Sequence, residues 1–230
     1  MLACWKEADL FPSWMPAATS SVVLGTEGYV DMLIHIHIGV LGLLARDGII
    51  HGYAVDALEE EGKLLILGKT PGDSAAELAA VPAAAAIPPA PAPSFRNGWQ
   101  QRMVYRRIVA SVEPLPAGGV RAALILSMDV KLPLPRVMLE RALRGTCAQF
   151  FARWANCARA IGGGGGAHAA RIAADPVFYR EWLGAKLRAH EQRMRRAGGG
   201  APRRPARPAM PPPPNYAPEH KALGGGVDMI

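Results

Sequence analysis

Cysteine is scarce in this chain of 230 residues. Cys4, Cys147 and Cys157 are all there is, with no CxxC spacing and no Cys/His cluster near them in sequence. That excludes a disulfide framework and fits a reducing compartment with buried or inert thiols. The motifs of common catalytic chemistry are missing too. There is no GxSxG elbow, no HExxH helix, no Walker phosphate loop and no GxGxxG placed between a strand and a helix. The Gly runs at 162–166 and 198–200 are homopolymeric spacers. No enzyme and no cofactor are therefore expected. At the start, MLACWKEADLFPSWMP meets Lys6, Glu7 and Asp9 before a leader-length apolar core can form, and Leu2 replaces the Gly that myristoylation needs. The expected location is cytoplasmic, with a plastid or the periphery of a membrane as alternatives.

Long apolar runs are also lacking. The best candidate is residues 32–44, only 13 long and interrupted by His35 and His37, whereas a spanning helix needs about 20 apolar residues. The two histidines share a strand face as a metal pair would. Asp31 is the best third ligand in sequence, and two alternate histidines without a firm third are more often packed or hydrogen-bonded. The segment is expected to be core, with His35 and His37 offering polar contacts to a ligand and no metal bound.

Acidic residues are few in one part of the chain. Residues 1–161 hold 15 Lys and Arg against 14 Asp and Glu, and residues 162–230 hold 11 against 5. The net charge of +7 thus belongs to the tail, and nucleic acid is not the expected partner of the core.

What is present falls into blocks. PGDSAAELAAVPAAAAIPPAPAPS has neither period nor bulk, so residues 70–94 are expected to be a disordered Ala/Pro-rich insertion. Residues 162–174 read as a Gly-rich linker, 175–197 as a basic helix opened by Asp175 and Pro176, and 198–230 as a disordered Pro/Gly/Arg-rich tail. In the basic helix Arg180, Trp182, Lys186 and Arg188 are candidates for peripheral contact with an anionic membrane, although basic and apolar positions do not separate into clean faces. Four antiparallel strands are legible. GIIHGYAVDA and KLLILGK are joined by the turn-like LEEEG, and QRMVYRRIVASVEPL and GVRAALILSMDV are joined through Pro116, Gly118 and Gly119.

The period then changes. Leu139, Leu143, Cys147, Phe150, Trp154, Cys157 and Ile161 recur every three or four residues, within about 80° of helix surface at about 100° per residue. This predicts a long amphipathic helix packed on the sheet.

DLFPSWMP at 9–16, ARD at 45–47, YAVDALEEEGKLLILGK at 53–69 and MDVKLPLPRVMLERAL at 128–143 follow one another in an order that resembles the StAR-related lipid-transfer (START) domain over residues 1–161. The resemblance implies an α+β helix-grip fold, a curved antiparallel sheet wrapped around a long C-terminal helix. It also implies non-catalytic binding, and intermembrane transfer, of one hydrophobic lipid of sterol, phospholipid or ceramide class in an apolar tunnel. Leu139, Leu143, Cys147, Phe150 and Trp154 would roof the tunnel, and Arg46 and Asp47 would be a structural polar pair. A polyketide-cyclase type enzyme on the same fold is the alternative. A further alternative is a domain incomplete at its N-terminus, because the family places a helix and strands before the DLFPSW position. Oligomeric state is not set by these residues.

Overall fold

The structure is a computed structural model that describes residues 1–40, 44–91, 101–116, 118–131 and 135–196, without the side chains of Val40, Leu44, Arg136, Leu139, Ala142 and Leu143. The chain opens with α1 (Leu2–Lys6), a 3₁₀ turn (Ala8–Leu10) and α2 (Phe11–Trp14), where Pro12 sits in the first turn, a position in which its missing N–H costs nothing. Then come β1 (Ala18–Glu27), β2 (Asp31–Val40), β3 (Leu44–Ala57), β4 (Lys63–Lys69), β5 (Gln101–Pro114) and β6 (Val120–Asp129). Among the described residues these six strands form one sheet in chain order, each antiparallel to its neighbour. Where β4 ends, β3 reaches past it, and Arg46–Gly48 pair directly with Gln101–Met103 of β5.

Alternation along the strands gives the sheet two distinct faces. Met32, Ile34 and Ile36 of β2, Ile50 of β3, and Met103, Tyr105, Ile108 and Val112 of β5 form the main core with Cys4, Ala8, Phe11, Trp14 and Trp154. β5 keeps all four of its residues on this face by shifting register between Tyr105 and Arg107. The bulge moves the buried set from odd to even positions and turns Arg106 and Arg107 to solvent. On the opposite face Leu33 and Ile49 pack against Val81. Val81 belongs to the insertion, which corrects the expectation of disorder through its described part, residues 70–91. Ser74 Oγ accepts a hydrogen bond from the Glu77 N–H and caps α3 (Ala75–Ala79). Val81, Ala84 and Ile87 cover strand residues that would otherwise face water. Residues 92–94 lie outside the described residues.

The long helix is α4 (Arg136–Gly162). Phe150, Trp154, Cys157 and Ile161 pack onto the core as the stripe requires, whereas Cys147 is exposed. The segment expected to be a linker carries a helix, α5 (Gly166–Ala174). After it, a π-helical segment (Val177–Leu183) runs into α6 (Gly184–Arg196). The α+β class, the antiparallel sheet and its C-terminal helices are as the sequence implies. Residues 198–230 lie outside the described residues.

Candidate functional site

The described residues hold an apolar slot on the main-core face of the sheet. Its floor is Met32 and Ile34 of β2, Ile50, Gly52 and Ala54 of β3, Leu64, Ile66 and Gly68 of β4, and Ile108 of β5. Gly52 and Gly68 face one another across the strands. A Cβ on Gly52 would meet nothing closer than the Leu67 carbonyl at 3.5 Å. The space over Gly52 is thus left by a missing side chain, whereas over Gly68 the Ile50 side chain would lie 3.3 Å from an added Cβ.

The walls come from both ends of the chain. Leu2, Trp5, Lys6 and Phe11 stand on one side, and Phe178, Trp182 and Leu183 of the π-helical segment on the other. Its cavity volume is about 80 Å³. It is a narrow slot, not a roomy chamber.

Aromatic packing fixes the first wall. The Trp5 ring lies 6.0 Å from Phe11, 6.3 Å from Trp14, 6.2 Å from Phe150 and 5.9 Å from Trp154, mostly edge-on, the arrangement ring quadrupoles favour. The Trp5 indole N–H is buried without a hydrogen-bond partner among the described residues, although a buried indole usually finds one.

Charge fixes the second wall. Lys186 donates to Asp56 at 2.6 Å, Arg193 to Glu59 at 2.7 Å and Lys6 to Asp175 at 3.3 Å. The Tyr179 hydroxyl donates to Glu7 at 2.6 Å, and His190 Nδ1 lies 3.1 Å from the Leu58 carbonyl. Phe178 stacks on Trp182 at 5.4 Å, with the Lys6 ammonium 4.7 Å from the Phe178 centroid. The acidic turn after β3 is thus the counter-charge of the basic segment. A π-helical turn, wider than an α-turn, is often found at functional sites.

This placement departs from the sequence reading. Phe150 and Trp154 belong to the aromatic cluster behind the wall and do not line the slot. Cys147 is exposed, and the side chains of Leu139 and Leu143 lie outside the described residues. His35 and His37 are turned away as well, because they alternate with the core residues Ile34 and Ile36. Their rings are 4.4 Å apart, and His35 Nε2 lies 3.2 Å from Asp47. Burial and the neighbouring His37 push the His35 imidazole below its ordinary value, against the pull of Asp47.

Arg46 and Asp47 are both buried, on opposite faces as adjacent strand residues must be. Arg46 donates to the carbonyls of Val130 at 2.9 Å and Lys131 at 3.1 Å, tying β3 to the chain leaving β6. Asp47 accepts from Arg102 Nε at 2.9 Å and its terminal nitrogen at 2.6 Å, and Arg102 also donates to the Pro88 carbonyl at 2.8 Å, which holds the insertion.

Of the membrane candidates, Trp182 faces the slot and Lys186 is paired with Asp56. Arg180 and Arg188 are exposed, and Arg188 donates to the Arg180 carbonyl at 3.4 Å. Among the described residues no helix is long and apolar enough to cross a membrane. Sequence reasoning also missed a cluster of Cys4, Cys157 and His168, because residues 153 apart give no local spacing to recognise. Burial and the hydrogen bond to Cys157 push the Cys4 thiol up to about 12.

No protein-family model matches the sequence, and no curated protein matches it at a significant level. Among solved structures the chain is similar to human StAR-related lipid transfer protein 5, with 14% identity, a TM-score of 0.49 and 66% of each chain covered. It is similar to the lipid transfer and protein localization domain of human StarD13 (15% identity, TM-score 0.45, 66% of this chain and 67% of that one). A third is a STAR-related lipid transfer protein from Xanthomonas axonopodis (14% identity, TM-score 0.46, 66% and 73%). The match thus spans just under two thirds of the length of the first of these, 66%.

Proposed function

We propose that the chain binds one lipid-class molecule non-covalently in the slot between the sheet and the two chain-end segments. The observation that carries this is the slot itself: an apolar floor, cleared of side chains at the Gly52–Gly68 pair, with charged side chains only at Lys6 and Asp56. Apolar surface leaving water for such a lining gains about 25 cal/mol per Å², so an acyl chain or fused ring binds with few polar contacts. The four motifs that resemble a START domain support the same reading. The unpartnered Trp5 indole N–H favours a ligand with one acceptor oxygen, a hydroxyl or ester carbonyl, since leaving a buried donor unmade costs about 1–3 kcal/mol.

The slot is too narrow to admit a whole lipid as it stands. Loading therefore moves the Val177–Leu183 wall, which is held by a few ion pairs and by Phe178 and Leu183 on Leu58 and Leu64. Docking on an anionic membrane would use the exposed Arg180 and Arg188, and transfer between membranes would follow from repeated opening of this wall.

Native mass spectrometry of the full chain from a lipid-rich host tests the reading. One stoichiometric lipid, released chemically unchanged on denaturation and absent from Gly52→Leu, is the expected result. A folded protein that is empty and takes up no sterol, phospholipid or ceramide from vesicles would overturn it, and so would a ligand returned chemically altered.

A further inference from the structure

Cys4 of α1, Cys157 of α4 and His168 of α5 meet behind the first wall of the slot. Their donor atoms all lie within 4.8 Å of one another. Cys4 Sγ is 3.2 Å from Cys157 Sγ, which is 3.7 Å from His168 Nδ1. His168 is buried, 5% exposed, and its Nε2 has no hydrogen-bond partner among the described residues. A buried imidazole beside two thiols is a costly arrangement if it serves only packing.

We propose that Cys4, Cys157 and His168 form a site for a d¹⁰ cation of the Zn²⁺ class. Two thiolates and an imidazole are the donor set such ions prefer over hard oxygen-seeking cations. The geometry is close to what a tetrahedral ion needs. With Zn–S of about 2.3 Å and Zn–N of about 2.0 Å, two sulfurs sit about 3.8 Å apart and sulfur and nitrogen about 3.5 Å apart. The sulfurs must separate by roughly half an ångström, and the Cys4 sulfur and the imidazole nitrogen, within 4.8 Å of one another, must close by up to about 1.3 Å, shifts open to side chains on three helices. Charge balances, because two thiolates neutralise the dication and the imidazole binds uncharged; the two thiol protons leave to solvent. Cys157 is only half-buried, so the fourth position opens toward solvent and takes a water. The ion would clamp α1, which carries the wall residues Leu2, Trp5 and Lys6, to α4 and α5. The sequence positions 4, 157 and 168 match no zinc-finger spacing, so the site is visible only in the fold.

The test is a Zn²⁺ titration of the untagged, reduced full chain against a competing chelator, with Co²⁺ as a spectroscopic substitute. One zinc per chain is expected, with a thiolate-to-cobalt absorption band in the near ultraviolet. Alkylation of native protein should fall to Cys147 alone when zinc is present. Cys157→Ser should abolish both signals, while Cys147→Ser and His168→Cys keep them. A folded wild-type chain that retains less than a tenth of an equivalent overturns the site whatever the variants do. Zinc retained equally by Cys157→Ser overturns it as well, and so does a Cys4–Cys157 disulfide that forms with excess zinc present.

Discussion

On one face of the sheet Met32, Ile34, Ile50 and Ile108 look onto an open slot. One residue along the same strands, the other face buries Asp47 with Arg102 and His35 and packs Leu33 and Ile49 under the insertion. The backbone ladder is common to both, so the difference lies wholly in side chains. The slot face keeps unfilled space and two buried indole N–H groups, of Trp5 and Trp14, without partners among the described residues, whereas on the other face Asp47 and Arg102 hold the insertion in place. The first leaves room between its side chains, and the second is filled.

That contrast can be broken from either side. The largest effect is expected from Asp47→Ala. Asp47 and Arg102 have side chains 5% and 17% exposed, and removing one partner of a buried pair costs about 3 kcal/mol or more. Urea unfolding should show that loss, while lipid content per folded molecule stays unchanged; an equal fall in lipid content would erase the distinction between the faces. Gly52→Leu should do the reverse. Its side chain enters the slot without a close contact at Cβ, so binding of a fluorescent sterol or fatty acid falls more than tenfold with a change in stability under about 1 kcal/mol.

Trp5→Phe sharpens the slot face further. It keeps an aromatic side chain, though a smaller one, and removes the N–H, so an acceptor-bearing ligand should lose several-fold more affinity than a plain hydrocarbon of the same size, which controls for the lost volume, read by competition for the same fluorophore. The smallest effect is expected from pH. Burial tends to raise the Asp56 carboxyl, but hydrogen bonds from Lys186 and the Leu58 N–H outweigh it and hold it below its ordinary value. A depressed carboxyl contributes stability in full above its unfolded value of about 3.9 and loses it as pH falls through the folded value. The 175–196 segment should therefore become more susceptible to an acid protease below about pH 4, by a few tenths to 1 kcal/mol for this partly exposed pair, and Asp56→Asn should remove that pH step. His35 acts in the same direction at higher pH. Its lowered imidazole must charge on unfolding, so the fold loses stability as pH falls below about 6.5.

Much of the fold was legible because it is local. Strands β3 to β6 show themselves as apolar runs bounded by LEEEG or Pro and Gly, and α4 by its stripe. β1 was not legible, since ATSSVVLGTE carries two register shifts and one fully buried residue, Ser21, and so has no steady alternation. The insertion looked featureless because its buried anchor, Val81, gains meaning only beside Leu33 and Ile49. The START resemblance leads one to expect an apolar tunnel, but it does not say which residues line the slot. The α4 stripe says that a face is buried without saying against what. The basic segment looked like a surface helix because its charges have their partners about 130 residues away, at Asp56 and Glu59.

The walls of the slot lie at opposite ends of the described chain, with Lys6 bonded to a residue 169 positions later and Glu7 to one 172 positions later. Closing so long a loop is slow relative to local structure. During synthesis the sheet can pair while its slot still has only one side, and an apolar trough is then exposed until residues 177–183 emerge. The same order runs backwards under proteolysis. A cut near Asp175 would leave the sheet folded and convert the slot into an exposed greasy groove, so trimming at that point would make the protein prone to self-association.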